Sequence, residues 1–337
     1  MKTKEEAKVI SIFNHKGGVA KTTIAYNLAW SLTNQKKRVL LVDGDSQCNL
    51  TALVLSDNFN DYYEKDETKS HNIKDGVRQA FDAKPEPIKA IECPNHTQNK
   101  NLFLIPGHMD LSAYEPQLNL ALTTSATLTT LQNLPGAFAE LIRLCSEQYS
   151  IDYVIIDLNP SLSAINQVLF MSSDAFIVPT NPDPFSIMAL KTLKIILPRW
   201  KKQATELSNL TKEASYPLPD KKMYFIGEVI SRFAVRNAKP AAYYRNKITS
   251  IKKEVKEDLV PALQKEGMIK NMQSEFCLTE IKDFGGLQQT ATEKGVPIIA
   301  LTNNDLGQGV VHSTNIVNKD LFVKNFNDIA TPLLTRI

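Results

Sequence analysis

The first fifty residues limit the fold more than any other part of the chain. Lys8-Val-Ile-Ser-Ile-Phe13 is a short β-rich run, followed directly by Asn14-His-Lys-Gly-Gly-Val-Ala-Lys-Thr-Thr23. Ile24, Leu28, Ala29 and Leu32 then recur at helical spacing, until Asn34-Gln-Lys-Lys breaks the pattern. Arg38-Val-Leu-Leu-Val-Asp43 is a second, nearly continuous apolar run, as a parallel strand covered on both faces requires. Strand, loop, helix and strand make one βαβ unit. Glycine is scarce, 13 of 337 residues, so two side by side in that loop are informative.

The rhythm resumes downstream. Leu102–Pro106, Tyr153–Asp157, Ala175–Pro179, Tyr224–Ile230 and Val296–Leu301 read as further strands. Amphipathic stretches near 111–122, 135–148, 162–171, 185–200, 240–265 and 282–294 separate them. Alternation of this kind predicts an α/β fold, a doubly wound and mostly parallel sheet flanked by helices. Polar stretches at 55–75 and 203–220 read as surface excursions, and the expectation is a single domain over residues 1–337. A hydrophobic share of 43% excludes a disordered chain, and no apolar run reaches the ~18–20 residues of a membrane span. The first residues carry no secretory signal, and Cys48, Cys93, Cys145 and Cys277 are isolated. They read as reduced thiols of a cytoplasmic protein.

A glycine-rich loop between a strand and a helix N-terminus is an anion cradle, because backbone N–H groups converge on phosphate and the helix dipole favours negative charge. Lys21 is placed to reach the β- and γ-phosphates of ATP, and Thr22 to offer its hydroxyl to Mg²⁺. The remaining loop residues, Gly17, Gly18, Val19, Ala20 and Thr23, complete the expected nucleotide-binding set. The ordinary pattern G-x-x-x-x-G-K-[ST] fails, since His15 and Ala20 occupy its glycine positions. Instead the loop reads Lys16-Gly-Gly-Val-Ala-Lys-Thr-Thr23. It resembles the deviant Walker A motif of the ParA/MinD family of P-loop ATPases. The resemblance implies a nucleotide-sandwich homodimer in which Lys16 crosses to the partner's phosphates.

Two acidic segments complete the expected site. Val42-Asp-Gly-Asp-Ser-Gln-Cys-Asn-Leu-Thr51 leaves the second strand with two carboxylates, and is similar to the family's D-x-D-P-Q-x-N segment. By that match Asp45 positions the attacking water and approaches Mg²⁺, while Ser46 stands where proline is usual. Asp152-Tyr-Val-Ile-Ile-Asp157 has the form of a Walker B strand, whose aspartate orients a magnesium-bound water. Asn159 departs from the family's D-x-P-P-S, and Asn166 on the next helix is a candidate reader of the bound state. Lys16, Lys21 and Asp45 are therefore the catalytic candidates, and Thr22, Asp45 and Asp157 the metal ligands. No residue looks like an acceptor nucleophile, which favours hydrolysis by water. The resemblance covers most of residues 8–335 and puts the adenine pocket near the last strands, at Thr302 and Asn303.

Lys+Arg 39 against Asp+Glu 36 gives a net charge of +3, which alone argues against a polyanion partner. The distribution argues otherwise. Arg232, Arg236, Lys239, Arg245, Lys247, Lys252, Lys253 and Lys256 stand against Glu254 alone, a local +7 with Tyr243 and Tyr244 among them. Such a patch suits non-specific, salt-dependent DNA binding. The C-terminal segment from Asp320 is helically spaced but poor in basic charge, and Pro332 is expected to interrupt it. It reads as a packing helix and not as a stable membrane anchor. The nucleotide motif begins near residue 14, so the N-terminal helix-turn-helix of some plasmid ParA proteins is not expected in this sequence. The leading expectation is a ParA-type ATPase acting in plasmid or chromosome partition, nucleoid-associated and stimulated by a ParB-like adaptor. The alternatives are a positioning or regulatory ATPase for a protein complex or membrane-associated cargo, and a metabolic P-loop enzyme.

Overall fold

Parallel strands need long crossovers, and the apolar runs here are separated by helices long enough to supply them. In the computed structural model, residues 6–124, 129–236 and 239–337 are described, apart from the side chains of 235, 236, 239 and 242. The strands are β1 Lys8–Ile12, β2 Val39–Gly44, β3 Asn95–His96, β4 Asn99–Ile105, β5 Tyr153–Leu158, β6 Ala175–Thr180, β7 Tyr224–Phe233, β8 Val235–Arg236, β9 Lys239–Pro240 and β10 Cys277–Lys282. Eight of them form one sheet in the order β10-β7-β6-β1-β5-β2-β4-β3, parallel throughout except for the β3–β4 pair. The α-helices are α1 Lys21–Asn34, α2 Asn49–Leu55, α3 Phe59–Glu64, α4 Ile73–Gly76, α5 Arg78–Phe81, α6 Glu115–Thr124, α7 Ala137–Gln148, α8 Ala164–Met171, α9 Pro184–Leu210, α10 Ala242–Glu254, α11 Val260–Lys265, α12 Gly286–Glu293 and α13 Gly309–Arg336.

The period-2 alternation of each strand divides the core between two faces. Val9, Leu40, Val42, Val154, Ile156, Phe176 and Val178 point to one side, packed against residues of α7, α8, α9 and α10. Ile10, Ile12, Val39, Leu41, Ile155 and Ile177 point to the other, against α1, α2, α12 and α13. This is the doubly wound arrangement that the alternation of runs predicts.

Four local readings need correction. Val296–Leu301 is not a strand: Ile298–Ala300 form a 3₁₀ turn beyond Gly295, whose φ is 62°. Pro297 also removes a ladder donor there. A strand absent from the sequence reading is β10, whose pattern Cys-Leu-Thr-Glu-Ile-Lys is half-buried because it lies at the sheet edge. Residues 203–210 continue α9, and only the stretch from Thr211 is loop. Finally, α13 runs through Pro332 to Arg336. Phe322, Phe326, Ile329, Ala330 and Leu333 are buried along it, and that packing outweighs one lost backbone bond. The polar stretch at 55–75 contains a 3₁₀ turn and α3, and α4 begins at its end.

Candidate functional site

In an open parallel sheet, ligands sit beyond the C-terminal ends of the strands, where neighbouring connections diverge. Here β1 feeds the glycine loop, with β5 on one side and β6 on the other. Register makes Ile12 and Asp43 lateral neighbours of Asp157, so loop and carboxylates meet at one edge.

The loop opens α1 without a side-chain cap. Ala20, the residue before the helix, is left-handed at φ 63°, where a glycine would relax the methyl against its backbone. The helix's first N–H groups are therefore available to an anion. Gly18 is also left-handed, at φ 74°, and a Cβ on Gly17 would face the Pro160 ring. Buried Asn14 braces the loop from below: its Nδ2 donates to the Pro179 carbonyl at 2.8 Å, and its Oδ1 accepts from the Lys16 N–H at 2.9 Å. Two further carbonyls are held from outside. Asn181 Nδ2 and Arg232 Nη1 donate to the Gly18 oxygen at 2.9 and 3.2 Å, and Ser231 Oγ donates to the Val19 oxygen at 3.3 Å.

The two lysines have different environments. Lys21 is buried, with Nζ donating to the Lys16 carbonyl at 3.2 Å. Burial pulls its pKa down, while Asp157 and Asp45 push back towards the charged form. Lys16 lies at the rim, its Nζ 2.8 Å from Asp183 Oδ2. Asp183 in turn caps α9, its Oδ1 accepting from the Ser186 N–H at 2.8 Å.

Asp43 is fully buried and committed to structure. Its Oδ2 accepts from the Thr51 N–H and hydroxyl at 2.8 and 2.7 Å, and its Oδ1 from the Asp45 N–H at 3.2 Å. Burial raises its pKa to about 6 despite those bonds. Asp45 is nearly buried, and one carboxylate oxygen caps its own turn through the Gln47 N–H at 3.0 Å. Asp157 is 1% exposed. Burial and the neighbouring Asp43 raise its pKa, opposed by a hydrogen bond from Thr22 and by Lys21. Its Oδ1 is buried without a hydrogen-bond partner.

That orphaned oxygen, beside the Thr22 hydroxyl and Asp45, is a hard oxygen set of the kind Mg²⁺ takes. No three His, Cys, Asp or Glu among the described residues form an all-protein metal cage. This suits an ion that shares its coordination with substrate phosphates. Residues Thr22, Asp45 and Asp157 thus fit the group expected of them.

Asn166 is buried and donates Nδ2 to the Asn159 and Ser161 carbonyls at 2.9 and 2.7 Å, holding the turn after β5. Glu115 on α6 accepts from the Ala164 and Ile165 N–H groups at 2.8 and 3.2 Å, so a carboxylate from another element sits on the α8 N-terminus. Thr302 and Asn303 open a short turn, where the Thr302 N–H and hydroxyl are engaged by Asp305 Oδ2 at 2.7 and 2.6 Å. Asn27 ties the preceding segment to α1: its Oδ1 accepts from the Ile299 N–H at 3.2 Å, while its Nδ2 donates to the Thr23 carbonyl at 2.8 Å. Sequence reasoning missed Asn14, Asn27, Asn181, Asp183 and Ser231. Only Asn181 and Asp183 carried a signal, in the proline-rich turn after β6.

The described basic residues do not share one environment. Arg232 sits against the phosphate loop. Lys252 is held between Glu275 and Glu280 at 2.8 and 2.9 Å, and Lys253 pairs with Glu257 at 3.7 Å. Arg245, Lys247 and Lys256 have no ion-pair partner among the described residues, and the side chains of Arg236 and Lys239 lie outside them. The local charge is therefore smaller than the linear count suggests, because acidic residues distant in sequence fold onto it.

A strand, glycine loop and helix, with lysine and threonine beside carboxylates on adjacent parallel strands, define a P-loop nucleotide-binding protein. Residues 7–209 match the family described as AAA domain. The Chromosome partitioning protein ParA of Myxococcus xanthus is 28% identical over 55% of this chain and 56% of its own length. A virulence plasmid ParA family protein of Chlamydia psittaci is 29% identical over 56% and 62%. The ATP complex of Cyanothece McdA shares the fold over 99% of this chain and 98% of its own, with a TM-score of 0.61 at 17% identity. A putative plasmid partition protein of Borrelia burgdorferi bound to AMPPNP does so over 98% and 100%, at 0.57 and 19%. The chain belongs to the ParA/MinD family of P-loop ATPases. It spans about half to six-tenths of the length of the curated relatives it matches.

Proposed function

We propose that the chain is a partition-type ATPase switch that binds MgATP at this loop, pairs with a second copy across the nucleotides, and binds DNA non-specifically in that form. One observation carries the reading: two lysines on one loop are held in opposite ways. Lys21 is buried among the carboxylates and serves the phosphates of its own chain. Lys16 is held at the rim by Asp183, a partner it can exchange for phosphates on a second copy.

Thr22, Asp157 and Asp45 would hold Mg²⁺, which would supply positive charge to the nucleotide's phosphates. Phosphoryl transfer needs positioning and charge neutralisation more than covalent chemistry. Lys21 supplies charge beside the leaving oxygens, and Asp45 orients the attacking water at the end of β2. The turn after β5, held by Asn166, sets the position of Asp157. Turnover is slow and stimulated by a ParB-like adaptor, so the bound nucleotide acts as a switch on dimer affinity. DNA contact is assigned to Arg245, Lys247 and Lys256, which have no ion-pair partner among the described residues, with Arg236 and Lys239 nearby in sequence. The printed names of the ParA relatives support partition of a plasmid or chromosome as the task, and the place proposed for it is the cytoplasm and the nucleoid. No described helix is long and apolar enough to cross a membrane, and the apolar face of α13 is spent on α1 and β10.

The test is sedimentation and DNA binding with and without MgATP, over a salt series. Wild type is expected to dimerise and bind DNA only with ATP, and Lys16→Ala to bind ATP but fail at both. Dimerisation of Lys16→Ala at wild-type affinity overturns the trans-lysine role. ATP-dependent dimerisation without DNA binding favours the positioning of a protein cargo.

A further inference from the structure

Arg232 was grouped by sequence with the basic segment, yet the fold separates it from that segment. It lies one residue before the end of β7, next to Ser231, on the strand beside the one whose turn carries Asn181. Its backbone is left-handed at φ 60°, a conformation that an arginine adopts only when its surroundings impose it. Strain of this kind collects where a side chain must be aimed at something. Here the guanidinium reaches back to the phosphate loop, 214 residues earlier in the chain, and Nη1 donates to the Gly18 carbonyl at 3.2 Å.

A trans peptide holds its C=O and the following N–H antiparallel. Fixing the Gly18 oxygen from outside therefore turns the Val19 N–H the opposite way, into the loop. Asn181 Nδ2 holds the same oxygen at 2.9 Å, and Ser231 Oγ does the equivalent for the Val19 oxygen, which aims the Ala20 N–H. Ser231 Oγ also lies 3.3 Å from Asn181 Oδ1, so the three side chains form one brace. Consecutive N–H groups turned inward make an anion-binding concavity. The Arg232 side chain is exposed, and its other guanidinium donors have no partner among the described residues. It thus combines a fixed hydrogen bond to the loop with a full positive charge beside the cradle.

We infer that Arg232 is a positioning residue of the nucleotide site, aiming the Val19 N–H at the bound polyphosphate and adding positive charge beside it, and is not a DNA contact. The inference rests on the reading of the loop as an ATP site.

The test uses the full chain with Arg232→Gly, Arg232→Lys and Arg245→Ala, titrated with a fluorescent ATP analogue and Mg²⁺ at concentrations below dimerisation. Glycine relaxes the left-handed backbone while removing the guanidinium, so a purely structural role and a nucleotide role separate. Arg232→Gly is expected to melt at or above the wild-type temperature yet bind MgATP about tenfold more weakly, the size of one lost charge-assisted hydrogen bond. Arg232→Lys should recover part of that loss, and Arg245→Ala should keep wild-type nucleotide affinity. At saturating MgATP, Arg232→Gly should keep the wild-type dependence of DNA affinity on salt, whereas Arg245→Ala should lower the slope by about one. Wild-type nucleotide affinity in Arg232→Gly overturns the proposal, as does a lowered DNA salt slope. Failure of the wild-type chain to bind MgATP overturns the ATP-site reading itself.

Discussion

Substituting Asp183 with asparagine isolates the contact that holds Lys16 within its own chain. The carboxylate does two jobs at once: Oδ2 pairs with Lys16 Nζ at 2.8 Å, and Oδ1 caps α9 through the Ser186 N–H at 2.8 Å. Asparagine keeps a capping oxygen and loses the charge, whereas alanine loses both. The pair is partly screened, with side chains 17% and 32% exposed. Coulomb attraction at 2.8 Å near a protein surface is about 6 kcal/mol, but desolvation and side-chain ordering leave about 1 kcal/mol net. In the proposed sandwich each of two Lys16 side chains must leave its Asp183, so removing the pair favours the dimer by about 2 kcal/mol, roughly thirtyfold. Sedimentation equilibrium with MgATP should show Asp183→Asn dimerising at about a thirtieth of the wild-type concentration, with a melting temperature within a few degrees of wild type. Asp183→Ala should show the same tightening on a scaffold about 1 kcal/mol less stable. Unchanged or weaker dimerisation in Asp183→Asn refutes the reasoning, because Lys16 is then not withheld by its own chain.

Three further outcomes follow from the same geometry. Glu115→Ala removes the acceptor of the Ala164 and Ile165 N–H groups; it should cost about 1–2 kcal/mol in urea unfolding. It should also lower the hydrolysis rate more than MgATP affinity, as single-turnover and binding measurements would show. Burial raises Asp43 to about 6 and Glu228 to about 8, both above their unfolded values, so the folded state binds more protons between pH 4 and 8. Metal-free stability should therefore fall as pH rises through that window, and Glu228→Gln should make the part between pH 6 and 8 less steep, with Asp157 supplying the remainder, in pH-dependent melting curves. Phe326→Ala should cost about 3–5 kcal/mol by leaving a cavity between α13 and the sheet, while Val310→Ser, at 85% exposure, stays within about 0.5 kcal/mol on the same unfolding curves.

What the chain disclosed in one dimension was whatever depends on near neighbours. The run of β1, loop, α1 and β2 is written in contiguous residues, and so is the aspartate ending β5. β10 was not legible, because an edge strand with Thr279 and Ile281 turned inward and Glu280 and Lys282 alternating with them lacks the continuous apolar run of its buried neighbours. Residues Val296–Leu301 misled for the converse reason: buried Ile298 and Ile299 serve α1 and α13 from a 3₁₀ turn, and apolarity alone does not distinguish that from a strand. The basic segment misled because charge counts are local while ion pairs are not. Lys252 finds Glu275 and Glu280 from 23 and 28 residues away.

Strand order explains why the rest of the site escaped a linear reading. The connection from β1 crosses to β2, leaving room for β5 between them, while β6 and β7 line up on the other side of β1. The near half of the site comes from β1, β2 and β5: the two lysines, Thr22 and the aspartates. The far half comes from the ends of β6 and β7, where Asn181, Asp183, Ser231 and Arg232 take hold of Lys16 and of the Gly18 and Val19 carbonyls. The near half contains the groups that phosphoryl transfer requires, and motifs record it. The far half sets which way the loop's N–H groups face and whether Lys16 is available. If both readings hold, substitutions in the near half should abolish nucleotide chemistry, and those in the far half should alter loop affinity and dimer equilibrium while leaving the aspartates in place. Asp183→Asn and Arg232→Gly should then move those two quantities in opposite directions, the first tightening the dimer and the second weakening the nucleotide, and because both side chains act on one loop a double variant should depart from simple addition.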